Sequence, residues 1–352
     1  MGPGGRHRAV LATAGIGLSA AVLAGCSGTE PGATAAPSPA PAASPAVALQ
    51  QSFVSIIRRT LPSVVEITTD NGLGSGVVMD TAGHIVTNAH VVGSSTTFSV
   101  TLSGTTKSQP ATLVGTYTPD DLAVIKVAPS GHLHPAAFAD SSRLQAGDVV
   151  LAMGNPLGLS SSVTDGIVSA VGRTVSEPAE SGSSGATLPD VIQTSAPINP
   201  GNSGGALVGL DARVAGIPTL AALDQEQGGS AAPGLGFAIP SNIVTDIAGQ
   251  LVRFGKVVDS HRAAIGAQVI TVASASGESI GVGVAGVAPG GPADRAGLRE
   301  GDVITAVNRT PTPDAESLST VLAGLKPGQQ VPVAVTAPDG TKRTVTVTLG
   351  EL

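Results

Sequence analysis

A serine hydroxyl is a weak nucleophile at neutral pH unless a neighbouring base takes its proton. Asn199-Pro200-Gly201-Asn202-Ser203-Gly204-Gly205 sets such a serine among glycines. Glycine on both sides lets the chain turn sharply and present N–H groups to a developing oxyanion. The same composition also serves plain turns, so the segment gains chemical meaning only if a base is at hand. Thr87-Asn88-Ala89-His90-Val91-Val92 supplies a histidine at the end of an apolar run. An isolated histidine there is more often a satisfied core residue. Asp120-Asp121-Leu122-Ala123-Val124-Ile125-Lys126 puts two carboxylates at the mouth of another apolar run, where turn and cap roles are ordinary. Taken together the three segments reinforce one another. Neutral imidazole is the natural base for serine, and a carboxylate fixes its tautomer and stabilises imidazolium. Asp120 and Asp121 are rivals for that place.

Other chemistries find little support. The single Cys excludes an internal disulfide and a cysteine-rich metal site. His132-Leu133-His134 has no Cys, Asp or Glu beside it and reads as a loop. With five Phe, one Tyr and no Trp, stacking platforms for single-stranded nucleic acid are not expected. A net charge of −7 also argues against a phosphate-backbone binder. Phosphate-cradling Gly-Lys-Ser or Gly-Lys-Thr is missing. No cofactor, metal or nucleic acid is therefore expected. His84 falls in a hairpin turn and is expected to be exposed; Tyr117 and Phe254 are expected to pack.

The elements that must position these residues are short. Phe53, Ile56 and Ile57 predict a helix over 52–59. A strand follows at Val64–Ile67, and Val77–Met79 and Ile85–Thr87 form a hairpin. Further strands are predicted near 98–102, 123–127, 149–153, 167–171, 191–194, 206–210, 214–217 and 237–239. Closely spaced strands without long helices between them indicate a β-barrel or sandwich. Residues 173–189 read as a long mobile loop. Ser241 is a plausible N-cap for a helix to Phe254 that closes the first domain. A hinge at 255–262 leads to a second β-rich unit, ending in a hairpin around Asp339-Gly340.

The N-terminus reads as an address. Arg6 and Arg8 precede an apolar run over 9–24, too short for the ~20 residues of a membrane span. Leu23-Ala24-Gly25-Cys26 resembles the lipobox of bacterial lipoproteins. That resemblance implies cleavage after residue 25 and acylation of Cys26. Residues 26–50, rich in Ala, Pro and Ser, are expected to form an extended tether.

Several ordered motifs closely resemble the HtrA/Deg family of chymotrypsin-like serine proteases. They are Gly74-Ser75-Gly76-Val77-Val78, Thr87–Val92, Asp121–Lys126 and Gly154-Asn155-Pro156-Leu157-Gly158. Val163–Ala170, Ile198–Leu207 and Gly234-Leu235-Gly236-Phe237-Ala238-Ile239-Pro240 complete the set. The resemblance implies a mainly β chain: a double six-stranded β-barrel protease domain over 51–256 and a PDZ domain over 262–350. It implies His90 as general base, Asp121 as its orienter because the acid directly precedes Leu-Ala, and Ser203 as nucleophile. The oxyanion hole would be built at Gly201, Asn202 and Ser203, from the N–H groups of Gly201 and Ser203. The family toggles that loop between ordered and collapsed forms. Residues 195–202 contain no acid to pair a substrate Lys or Arg. Ile198 with Gly234, Leu235 and Gly236 suggests a small apolar pocket, hence cleavage after small or medium aliphatic residues.

Ala264-Ile265-Gly266-Ala267 would be the carboxylate-binding loop and first groove strand of the PDZ domain, taking peptide C-termini by strand addition. The implied protein is an exported endopeptidase, lipid-anchored to the outer face of the bacterial cytoplasmic membrane. Its partners would be unfolded or misfolded polypeptides, and it would assemble as a homotrimer with Phe53 at the interface. Departures from the family pattern are Ser195 in place of an Asp, Leu157 in place of a Phe, and Asn308-Arg309 without the usual Gly. Two rival readings stand. Gly201-x-Ser203-x-Gly205 formally fits the nucleophile elbow of α/β-hydrolases, with Asp224 or Asp246 and His261 as partners, although the following residues read as strands. A PDZ-bearing chaperone-like or scaffold lipoprotein is the other. For the protease, activity should fall as pH drops through about 6.5, the ordinary imidazole range, since protonated His90 cannot accept a proton.

Overall fold

A computed structural model describes residues 44–70, 72–155, 162–177, 186–199, 201–224, 230–274 and 276–352. Cys26, the signal-like run, Leu157 and the tether up to residue 43 lie outside the described residues. The first helix, α1 (Pro45–Thr60), starts seven residues before the predicted one. The last six residues read as tether are therefore helical. Pro45 suits a first helical position because its missing N–H is not needed there. Ala46, Ala48, Leu49, Gln50 and Gln51 then propagate the helix well. Ile56 and Thr60 are buried, and Phe53 packs against the core.

Two closed barrels follow. The first comprises β1 (Val64–Thr69), β2 (Gly72–Val78), β3 (His84–Thr87), β4 (Thr97–Thr101), β5 (Ser108–Tyr117) and β6 (Leu122–Val127), with α2 (Ala89–Val92) after β3. Its strand order is β1-β2-β3-β6-β5-β4. The second comprises β7 (Val149–Gly154), β8 (Ser162–Glu177), β9 (Ala186–Thr194), β10 (Ala206–Gly209), β11 (Val214–Asp224) and β12 (Ser230–Pro240). Its order is β10-β11-β12-β9-β8-β7. Closure leaves every strand paired on both sides. Each barrel has its own interior cluster, and a third is shared. Val77, Val86 and Leu122 of the first barrel pack with Leu151, Met153 and Ile217 of the second. That shared seam fixes one barrel rim against the other.

Other expectations need correction. Residues 173–189 do not form one long loop: β8 runs to Glu177 and β9 starts at Ala186, pairing Arg173 with Val191 and Val175 with Leu188. A backbone ladder needs no apolar run, so polar composition hid this ribbon. Its tip, 178–185, lies outside the described residues. Ser241 is not the cap of α3 (Ser241–Phe254): Pro240 takes that position, and Ser241 Oγ donates to the Ala139 carbonyl at 2.8 Å. Phe254 does not pack inside; it is 51% exposed, with the Arg253 guanidinium 5.6 Å from its ring centre. His84 is buried, its Nδ1 2.6 Å from Asp80 Oδ2.

The C-terminal unit contains β13 (Ala263–Ala264), β14 (Ala267–Ala273), β15 (Ser279–Val287), α4 (Pro292–Arg295), β16 (Val303–Val307) and β17 (Thr310–Pro311). It continues with α5 (Ala315–Ala323), β18 (Gln330–Thr336), β19 (Lys342–Thr348) and β20 (Gly350–Glu351). Its main sheet runs β14-β15-β16-β18-β19, which leaves β14 at an edge, and β13 pairs with β20. Asn308 and Arg309 adopt left-handed φ of 49° and 67°, so that turn forms without glycine. The stretch expected as a hinge is tied down. The Gln250 side chain accepts from the N–H groups of Val258 and Asp259 and donates to the Asp259 carbonyl. The Arg262 side chain reaches Asp120 Oδ1 at 2.9 Å, the Thr187 carbonyl at 2.7 Å and the Pro119 carbonyl. Among the described residues, no helix is long and apolar enough to cross a membrane.

Candidate active site

β3 ends at buried Thr87, and the single turn of α2 folds His90 back over the barrel rim. Opposite it, a tight turn over Thr118–Asp120 delivers Asp121 in a left-handed conformation, φ 51°, at the start of β6. The two residues are clasped twice. The His90 N–H donates to Asp121 Oδ1 at 2.9 Å, and His90 Nδ1 lies 2.8 Å from Asp121 Oδ2. An ionised carboxylate only accepts, so Nδ1 carries the proton and Nε2 keeps the lone pair. The Asp121 carbonyl also accepts from Ala89 N–H at 3.1 Å and Asn88 Nδ2 at 3.0 Å. A third donor reaches the carboxylate from the other barrel: Thr219 Oγ1 lies 2.5 Å from Asp121 Oδ2, a normal length for a hydroxyl on a carboxylate. Asp121 is buried, and these donors offset the cost of removing its charge from water. The His90 side chain is 31% exposed, so its ring is reachable from solvent.

The rival carboxylate faces elsewhere. Asp120 turns to Arg262, and its burial pushes its carboxyl above the usual range although the guanidinium pulls the other way. Adjacent residues thus serve the imidazole and the second domain.

Ser203 lies in the loop before β10. Its Oγ donates to the Thr219 carbonyl at 3.4 Å, so Thr219 touches both the serine and the aspartate. Gly201 has φ 115°, open to glycine and strained for other residues. Gly204, at φ 78°, sits so close to the first barrel that a Cβ there would fall 2.3 Å from the Ser75 carbonyl. Within 201–203 the backbone polar groups can be followed one by one. The Gly201 carbonyl accepts from Ser75 Oγ, and the Ser203 carbonyl from Ser75 N–H. Asn202 N–H donates to the Asn199 carbonyl, and the Asn202 carbonyl accepts from Gly205 N–H. Within 201–203, the N–H groups of Gly201 and Ser203 have no hydrogen-bond partner among the described residues. The Asn202 side chain is spent on the loop itself, bonding Asn199 N–H and the Pro197 carbonyl.

Ile198 is buried, and a Cβ on Gly236 would meet its Cγ1 at 2.3 Å, so these two expected pocket residues are in contact. Leu235 is exposed, and Gly234 has open space on its side. Ser195, a departure from the family pattern, bonds locally: its Oγ accepts from Ile167 N–H at 3.0 Å. In the second unit Ala264 belongs to the β13–β20 pair, Ile265 is buried, Gly266 turns at φ 73°, and Ala267 opens edge strand β14. Ser203 is followed by β10 and β11 rather than a helix, which rules out the α/β-hydrolase elbow. Thr219, Ser75 and Arg262 escaped the sequence reading as functional candidates. A threonine in a strand or an arginine in a linker carries no spacing signal of its own.

Two closed barrels with this pair on one rim and this serine loop on the other, followed by a small sheet with a free edge, define a trypsin-like peptidase joined to a PDZ unit. Residues 74–217 match the trypsin-like peptidase domain family and residues 263–349 the PDZ domain family. The chain is 38% identical over 367 residues to the serine protease PepD of Mycobacterium tuberculosis, spanning 96% of this chain and 75% of that one. It is 36% identical over 317 residues to the serine endoprotease DegS of Escherichia coli, with 85% and 86% covered. The periplasmic serine endoprotease DegP of Escherichia coli is 38% identical over 263 residues, 74% of this chain and 53% of that one. Among solved structures, the serine endoprotease from Yersinia pestis superposes with a TM-score of 0.57 at 34% identity, covering 85% of this chain and 98% of that one. The chain belongs to the HtrA/Deg family and is a serine endopeptidase with a PDZ domain.

Proposed function

We propose that His90, Asp121 and Ser203 carry out the peptide hydrolysis, on misfolded or exported proteins in the cell envelope. The observation that carries this reading is the double clasp of His90 by Asp121, with Thr219 bridging the aspartate to Ser203. The 3.4 Å hydrogen bond from Ser203 Oγ to the Thr219 carbonyl is long and easily given up; in this mechanism the hydroxyl turns its proton to His90 Nε2 when substrate binds. Ser203 Oγ then attacks the scissile carbonyl as Nε2 takes the proton. The carbonyl oxygen becomes an oxyanion held by the N–H groups of Gly201 and Ser203. His90 returns the proton to the leaving amine, and the acyl-enzyme forms. Water, deprotonated by the same imidazole, releases the second product. Asp121 stays ionised throughout and stabilises the imidazolium.

The contact of Ile198 with Gly236 supports a shallow apolar pocket and cleavage after small or medium aliphatic residues. Edge strand β14 beside the Gly266 turn supports capture of peptide C-termini. Exposed Val47, Leu49 and Val54 on α1 support assembly, with a homotrimer expected; a monomeric mass by light scattering would refute it. Lipidation at Cys26 would hold the enzyme at the outer face of the cytoplasmic membrane, and an unmodified Cys26 by mass spectrometry would remove that anchor. The decisive assay compares wild type with Ser203→Ala on casein. Wild type is expected to cleave it and Ser203→Ala to lose ~10⁴-fold or more in kcat. Equal cleavage by both would sink the assignment. Suppressed aggregation without cleavage by either would favour the chaperone-like reading.

A further inference from the structure

Ser75 belongs to β2 of the first barrel, yet it touches the second barrel more than its own. It is fully buried. Its hydroxyl donates to the Gly201 carbonyl at 2.5 Å and accepts from the Asn155 N–H at 2.9 Å, just beyond β7. Its N–H donates to the Ser203 carbonyl at 3.0 Å, and its carbonyl accepts from Thr87 Oγ1 at 2.7 Å, three residues before His90. One residue therefore meets the serine loop twice, the end of β7 once, and the strand that leads to the histidine once. The two carbonyls it holds bracket the Asn202–Ser203 peptide unit, which bears the Ser203 N–H, and one of them belongs to Gly201, whose own N–H is the second without a partner.

We propose that Ser75 is a positioning residue that sets the oxyanion-binding form of the 201–203 loop. The proposal rests on the reading above, in which the Gly201 and Ser203 N–H groups receive the oxyanion. A loop of glycines has many accessible backbone states, and its N–H pair is useful only in one of them. With both carbonyls fastened to a barrel strand, rotating the Gly201–Asn202 or the Ser203–Gly204 peptide unit costs a buried hydrogen bond, and holding these two units restricts the N–H-bearing units joined to them. Ser75 is fully buried and a Cβ on Gly154 would fall 2.4 Å from the Gly201 carbonyl, so there is little room beside that acceptor for water to replace a missing hydroxyl. Without that hydroxyl the Gly201 carbonyl and Asn155 N–H lose their partner, and the loop gains reason to turn over.

Ser75→Ala and Ser75→Cys, which keeps a weak donor of similar shape, test this in the full chain against wild type and Ser203→Ala. Ser75→Ala is expected to lower kcat by ~10- to 100-fold, less than loss of an oxyanion donor outright, with KM within about twofold. Ser75→Cys should fall between. A ¹³C-labelled peptidyl trifluoromethyl ketone adds the specific readout. The hemiketal it forms on Ser203 should ionise at higher pH in Ser75→Ala, because its oxyanion is less well held, while the acidic limb of the pH–rate profile stays in place. Unchanged kcat and hemiketal ionisation in a folded Ser75→Ala protein would overturn the proposal. So would loss of the cooperative thermal unfolding transition in both variants, which would make Ser75 a purely structural residue. If wild type and Ser203→Ala cleave alike, the underlying catalytic reading fails instead, whatever Ser75 does.

Discussion

The two barrels bring different materials to one site. The first contributes charge and a titratable ring: His90 and Asp121 are locked together by side-chain bonds on its rim. The second contributes backbone, a glycine loop with two N–H groups that have no partner among the described residues, and one hydroxyl. Buried charge tolerates little error, since an unpaired carboxylate in a low-dielectric interior is costly. Asp121 accordingly has a partner at every turn. A backbone loop can be misplaced at much lower cost, so its control lies in whatever fastens it. Thr219 carries the second barrel into the first barrel's charge network.

The sharpest test of this contrast exchanges the two neighbouring carboxylates. Asp121→Asn should lower kcat by ~10⁴-fold, because an amide in that place favours the wrong tautomer of His90. Asp120→Asn should change kcat by less than about tenfold, since its side chain serves Arg262 rather than the ring. Equal losses, measured on a fluorogenic peptide, would mean that the rim acts as one charged patch.

Breaking the link to the second domain should act on stability. Arg262→Ala leaves Asp120 buried without its guanidinium, and loss of one partner of a buried pair costs about 3–5 kcal/mol. The sign with pH follows from Asp120. Its folded-state carboxyl already lies above the usual range because of burial, and removing Arg262 raises it further. A raised carboxyl contributes stability fully present below its unfolded value and lost as pH rises through the folded one. Arg262→Ala should therefore destabilise more at pH 7 than near pH 4, read as urea midpoints. A penalty independent of pH would show that the guanidinium acts through the Thr187 and Pro119 carbonyls instead.

The smallest effect is expected at the bridge between barrels. Thr219→Val keeps the shape and removes one donor from Asp121, and should lower kcat by about tenfold with little change in KM. A loss as large as that of Asp121→Asn would place the second barrel, rather than the first, in charge of the aspartate.

Much of this was legible in residue order. Strand after strand announced itself by apolar runs, and α3 by the periodicity of Val244, Ile247 and Leu251. β5 did not, because Pro110, Gly115 and a bulge between Leu113 and Gly115 blur its alternation. The β8–β9 ribbon was hidden because cross-strand backbone bonds leave no mark on composition. The start of α1 was masked by a Pro- and Ala-rich stretch whose last proline begins a helix.

The order of residues alone determined that a serine among glycines, a histidine at a strand end and an acid before Leu-Ala would be present, and that short strands would carry them. Local physics is enough for that, since periodicity and turn chemistry act between near neighbours. Which of two adjacent aspartates meets the imidazole, which serine fastens the loop, and that an arginine 142 residues from Asp120 would meet it, were decided only in three dimensions. Those choices depend on barrel closure and on the seam shared by the barrels, where distant residues first come within hydrogen-bonding reach.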